Sequence, residues 1–215
     1  DDVMVLAEGM MQRIFARIAG REMALPFARL TYAEAMDRFG LDKPDTRFGL
    51  ELKNVSDIVG ASGFKTFAGV VAGGGIVKAL NAKGCTDFSR KDIDDLTAFA
   101  AIYKARGLAW IKVREDGWQS PIAKFFTDDE KAAMTQRLNM QIGDLVFFGA
   151  DAAPVVNDSL GNLRNRIGER LGRYERAPRA PTVWVHAVSV GELIAALPLI
   201  EAIRRERPAL AVLVT

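Results

Sequence analysis

Apolar residues open the chain at helical spacing. Val3, Leu6, Ala7, Met10, Ile14, Phe15 and Ile18 recur every three to four positions, and Gly20 closes the run. The spacing predicts a helix over residues 1–19, with Asp1 and Asp2 at the positive end of its dipole. Thr31-Tyr32-Ala33-Glu34 reads as a capping box and Gly40 as a stop, so Tyr32–Phe39 is a second predicted helix. The loop Leu41-Asp42-Lys43-Pro44-Asp45 follows, because Pro44 keeps its predecessor out of helix. Phe64–Ala72 is rich in β-branched and aromatic residues and is predicted as a strand, broken by Gly73-Gly74-Gly75. Ser89 caps a predicted helix over Arg90–Ala105, with Ile93, Leu96, Phe99, Ala100 and Tyr103 on one face and Gly107 closing it. Leu108–Val113 is predicted as a strand and Glu115-Asp116-Gly117 as the turn after it. Thr127 caps a predicted helix over Asp128–Leu138, and Leu145–Gly149 is a further strand. Ala153–Leu171 carries an apolar stripe at Val156, Leu160, Leu163 and Ile167, which predicts a long helix.

The texture then changes. Arg173–Pro181 is basic and holds Pro178 and Pro181, as a linker would. Val183–Val188 reads as a strand, Ser189-Val190-Gly191 as a tight loop, Glu192–Arg207 as a helix ended by Pro208, and Ala211–Val214 as a second strand. That order predicts one parallel β-α-β unit. Charge divides at the same place. Of 29 basic and 27 acidic residues, 23 and 23 lie in residues 1–172, so the net +2 belongs to residues 173–215. The chain opens without Met and stops inside a strand-like run, and it reads as a piece of something longer.

Composition narrows the chemistry. The 215 residues are 49% apolar and 26% charged, an ordinary globular balance that excludes disorder and low-complexity classes. A near-neutral chain has no whole-molecule field to attract nucleic acid or anionic membrane. A single Cys (Cys85) excludes an internal disulfide and a multi-Cys zinc site, and a single His (His186) excludes a multi-His metal site. The longest uncharged run of apolar and small residues, Thr66–Val77, is too short and glycine-rich to span a bilayer, and no signal-peptide pattern opens the chain.

Several segments invite a chemical reading beside a plain one. Gly73-Gly74-Gly75 could cradle phosphate on its backbone N–H groups, but it lacks P-loop and dinucleotide spacing, and a turn or close backbone approach is the favoured reading. Asp92, Asp94 and Asp95, and Asp128, Asp129 and Glu130, read as acids opposing helix dipoles rather than as a calcium loop. Lys112 and Lys124 flank Trp110 and Trp118, an interleaving that single-stranded nucleic acid favours, though a solvated sheet face is the commoner cause. Cys85 reads as structural or incidental. In His186-Ala187-Val188-Ser189-Val190-Gly191-Glu192, the loop lies at the carboxyl end of a predicted parallel strand, where open α/β sheets place ligands. Glu192 there is either a general base beside an anion-binding helix N-terminus or a partner of the helix dipole.

Two resemblances follow from the motifs. Leu30-Thr31-Tyr32-Ala33-Glu34-Ala35-Met36 and Phe39-Gly40-Leu41-Asp42-Lys43-Pro44-Asp45 resemble the segment after the second class II signature of bacterial-type aspartyl-tRNA synthetases. Arg90-Lys91-Asp92-Ile93-Asp94, Ala105–Val113, Ser120–Phe125 and Phe147-Phe148-Gly149-Ala150-Asp151 resemble that family's inserted GAD domain. Leu41 departs from the family, which usually has Ser there. The resemblance covers about residues 1–172. It implies an α+β fold: a GAD-type mixed insertion domain with flanking class II synthetase helices. The implied layout is 1–49 from the class II catalytic domain, 50–172 the GAD insertion, 173–181 a linker and 182–215 a truncated glycosyltransferase-like β-α-β unit. It further implies aminoacylation of tRNA with aspartate in the cytoplasm by a homodimer using ATP and Mg, while this fragment, with no net charge over residues 1–172, is expected to bind tRNA weakly or not at all. No Phe-Arg-Asp-Glu or Gly-Leu-Asp-Arg signature occurs here, so no catalytic or cofactor residue is carried over and the chain alone is expected to be inactive.

The second resemblance rests on Gly168-Glu169-Arg170-Leu171-Gly172-Arg173-Tyr174 and Val183–Glu192. These look like the start of the 3-deoxy-D-manno-octulosonic acid (Kdo) transferases, two-domain enzymes that move Kdo from a CMP-linked donor to lipid A precursor. By that match Glu192 would be the general base. The two resemblances meet within Gly168–Gly172, which points to a chimera joined at a short shared sequence. A third reading is a non-catalytic GAD binding module.

Overall fold

The computed structural model describes residues 2–171, 182–185 and 190–214. Helix α1 (Asp2–Ala19) starts with an acid in its first turn and is followed by Gly20 at φ +61°. Helix α2 (Tyr32–Phe39) is bracketed as the sequence predicts. The Thr31 hydroxyl accepts from the Glu34 N–H, the Glu34 carboxylate accepts from the Thr31 N–H at 2.8 Å, and Gly40 closes the helix in the left-handed region. Strand β1 (Leu52–Asn54), the one-turn helix α3 (Ser56–Val59), helix α4 (Lys65–Ala72) and strand β2 (Ile76–Ala82) come next. Helix α5 (Arg90–Ile102), strands β3 (Ala109–Arg114) and β4 (Gly117–Gln119), helix α6 (Asp128–Leu138), strand β5 (Leu145–Asp151) and helix α7 (Ala153–Leu171) complete the larger part.

Five strands make one antiparallel sheet in the order β1-β2-β5-β3-β4. Strand β5 is central, pairing Phe147 with Leu80 on one side and Val146 with Ile111 on the other. Its Leu-Val-Phe-Phe run is buried on both faces. Leu145 and Phe147 join Ile93 and Leu96 of α5 and the α7 stripe Val156, Leu160, Leu163 and Ile167. Val146 and Phe148 join Val59 of α3, Phe67 of α4 and Met134 and Leu138 of α6. The sheet is thus the middle of three layers, an α+β arrangement.

Phe64–Ala72, predicted as a strand, is instead helical from Lys65. Phe64, Phe67 and Val71 all pack on the second core cluster. Their spacing of three and four is a helical face, and its burial overrides the β-propensity of the individual residues. Helix α5 ends at Ile102, short of Ala105, because Lys104 rather than Gly107 takes the left-handed position, at φ +68°. Strand β2 escapes the pattern because Lys78 and Asn81 interrupt its apolar run, yet Lys78 is itself buried.

The chain forms two compact units. One is Leu30–Tyr174, which holds the five-stranded sheet. The other joins Asp1–Arg29 to Glu175–Thr215. In it, strands β6 (Thr182–Val185) and β7 (Ala211–Val214) pair in parallel through Val183 and Val212, with helix α8 (Val190–Glu206) between them in sequence. The parallel β-α-β unit is as expected. Helix α1 meets α8 through an Arg17–Glu201 ion pair at 3.5 Å. The buried Glu8 accepts from the Phe27 N–H at 3.2 Å and from Arg29 at 3.4 Å, tying the segment after α1 back onto it. The predicted linker over 173–181 lies outside the described residues.

Candidate functional site

Glu192 is exposed in the first turn of α8, a few residues after β6. Its carboxylate lies at the positive end of the helix dipole, beyond the carboxyl end of a parallel strand. His186, Ala187, Val188 and Ser189 lie outside the described residues. Val190 and Gly191, expected in a tight loop, belong to the first turn of α8, so the helix starts two residues earlier than its sequence suggests.

The glycine run is a helix stop. Gly73 N–H donates to Gly69 O at 3.0 Å and Gly75 N–H to Val70 O at 2.9 Å. A Cβ on Gly75 would stand 2.6 Å from Val70 Cγ1 and 2.9 Å from Asp151 O, so only glycine lets the chain pass β5 there. The run meets the carbonyl end of α4, the wrong pole for a phosphate. Both acidic clusters cap helices. Asp92 closes a capping box with Ser89, and Glu130 closes one with Thr127. Asp94 and Asp128 pair with Arg90 and Lys131, each at 3.0 Å.

The basic-aromatic segment divides. Lys112 is not on a solvated face. It is 8% exposed and donates to Phe88 O at 2.5 Å, and burial pushes its ammonium below the ordinary lysine range. Lys124 stays at the surface and lines a groove with Trp118. Cys85 is buried in the first core cluster, with its thiol 3.3 Å from Lys83 O.

Buried cations are what residue patterns miss. Arg164 of α7 is fully buried, donates to Leu50 O and Asp45 O, and lies 4.9 Å from the Phe39 ring centroid. Burial pushes its guanidinium below the ordinary value. Lys78 donates to Asp37 O at 2.7 Å and to Asp37 Oδ1 at 2.9 Å. Asp144 is buried, which raises its pKa. Donation from Lys83, Asn81, Gln141 N–H and Gly84 N–H outweighs burial and holds the carboxyl below its usual range. Arg164, Lys78 and Lys112 each take backbone carbonyls from segments far away in sequence, so they fasten α2, the residue capping the 3₁₀ turn Thr46–Phe48 and the loop before α5 to the sheet and to α7. Among the described residues no three His, Cys, Asp or Glu come together as a metal-holding group, and no helix is long and apolar enough to cross a membrane.

Within this three-layer unit, residues 67–160 match the GAD domain family. Residues 165–215 match 3-deoxy-D-manno-octulosonic-acid transferase (kdotransferase). Among individual proteins, the aspartate–tRNA(Asp/Asn) ligase of Desulfosudis oleivorans is 64% identical over 185 residues, which is 86% of this chain and 31% of that protein. The ligase of the same name from Desulfatibacillum aliphaticivorans is 66% identical over 173 residues, 80% of this chain and 29% of that protein. That of Geotalea uraniireducens is 56% identical over 176 residues, 82% of this chain and 30% of that protein. The chain therefore spans just under a third of the length of the relatives it matches.

Proposed function

We propose that this chain is the GAD-bearing part of an aspartate–tRNA ligase, with residues 1–49 from the catalytic domain and 50–172 forming the insertion. The observation that carries this reading is 64% identity to such a ligase over 86% of the chain, around a segment matching the GAD family. In the whole cytoplasmic enzyme, aspartate is joined to tRNA by a homodimer that uses ATP and Mg. No residue of this chain is assigned to ATP or Mg, because the class II signatures that hold them are not in its sequence. The chain alone is inactive on this reading. Aspartate-dependent ATP–pyrophosphate exchange is the test: no exchange above background is expected, and exchange by the purified chain would overturn the assignment.

The transferase match over 165–215 supports a second reading for the tail. Residues 173–181 are then a linker, and 182–215 the truncated start of a Kdo transferase in which Glu192 acts as general base. The transferase match begins at residue 165 while the ligase match takes in 86% of the chain, and their overlap supports a meeting of ligase-like and transferase-like sequence in this part of the chain. Transfer from CMP-Kdo to lipid A precursor, abolished by Glu192→Ala, is the outcome this reading expects. Transfer that Glu192→Ala leaves unchanged would remove Glu192 from the role of base.

A further inference from the structure

Strands β3 and β4 form a tight hairpin in which Trp118 pairs with Val113. Gly117 and Gln119 are exposed on either side of it, and Trp118 is half-buried. The indole packs on the second core cluster and also lines a groove of about 500 Å³. That volume lies within the range of small-molecule sites, about 300–1,000 Å³.

The other walls come from three places. Asp116 stands at the hairpin turn, Lys124 on the 3₁₀ turn Ala123–Phe125, and Lys131 on α6. Two ammoniums and one carboxylate leave the lining net positive, within residues 1–172, whose charges balance as a whole. Lys124 Nζ lies 5.2 Å from the Phe125 ring centroid. Lys131 pairs with Asp128, whose side chain is 99% exposed, and a pair that open to water binds its lysine weakly.

An indole beside ammoniums suits an unpaired nucleotide. The base stacks on the ring, the phosphate meets the cations, and the Asp116 carboxylate accepts from a ribose hydroxyl or an exocyclic amine. A duplex offers no unstacked base. The geometry points to this groove as the binding site for one unpaired nucleotide of an RNA strand. Choosing a strand over a free mononucleotide rests on the ligase reading above.

The test is fluorescence anisotropy of the full chain with a labelled single-stranded RNA of about eight nucleotides at low salt. Binding is expected, with no competition from the same sequence as a duplex. Trp118→Leu keeps apolar packing but removes the stack and is expected to weaken binding about tenfold, while Trp118→Phe keeps most of it. Lys124→Ala with Lys131→Ala, away from the core, is expected to flatten the slope of log affinity against log salt by about 1.4. Absence of single-strand binding, equal binding by Trp118→Leu and the double lysine variant, or full competition by a nucleoside monophosphate at equal concentration would each overturn the proposal. None of these results changes pyrophosphate exchange, so failure here is separable from failure of the ligase reading.

Discussion

Glu51 sits between two cations. Arg38 Nη2 donates to it at 2.6 Å and Lys53 Nζ at 2.8 Å, and these bonds lower its pKa to about 2. A lowered carboxyl pKa adds stability above its ordinary value of 4.5, and that stability is lost as pH falls toward 2. Urea unfolding of the chain and of Glu51→Gln is therefore expected to show a stability gap at pH 7 that closes steadily below pH 4.5. A gap independent of pH would show that Glu51 acts through packing alone. Capping residues such as Thr31, Ser89 and Thr127 are legible in sequence because both partners lie within four positions. Arg164, Lys78 and Lys112 are not, because each takes a carbonyl from a distant segment, and a carbonyl leaves no mark in residue type.

At the scale of elements, the long helix α7 was plain because four stripe residues all face one core. Helix α4 was hidden because its face is short and its residues individually favour strands. The contact between α2 and α7 is equally silent in sequence and is made by glycine. A Cβ at Gly40, which has φ +74°, would lie 2.2 Å from Asn157 O, and one at Gly161 would lie 2.8 Å from Phe39 O. Gly40→Ala is expected to cost about 2 kcal/mol or more, through both the backbone strain and the clash. Gly107, which has nothing within 4 Å of its Cβ position, serves as the control, and Gly107→Ala is expected to be nearly neutral. Equal losses of thermal stability at the two sites would show that α2 and α7 do not pack this closely.

For the whole molecule, the two family likenesses and the change of texture near residue 173 are visible in the sequence. The grouping of residues 1–29 with 175–215 is not, since no local pattern states which helix α1 meets. Candidate chemistry was legible only in part. The capping acids and the glycine stop are evident, and the Trp118 groove needed three elements brought together. The reading of residues 1–172 as ligase sequence has a direct test. Those residues would replace the matching segment of the Desulfosudis oleivorans aspartate–tRNA(Asp/Asn) ligase, and aspartate charging of tRNA would be measured beside the parent enzyme. Charging within about tenfold of the parent is the expected result. A soluble, folded graft that charges no tRNA would contradict it.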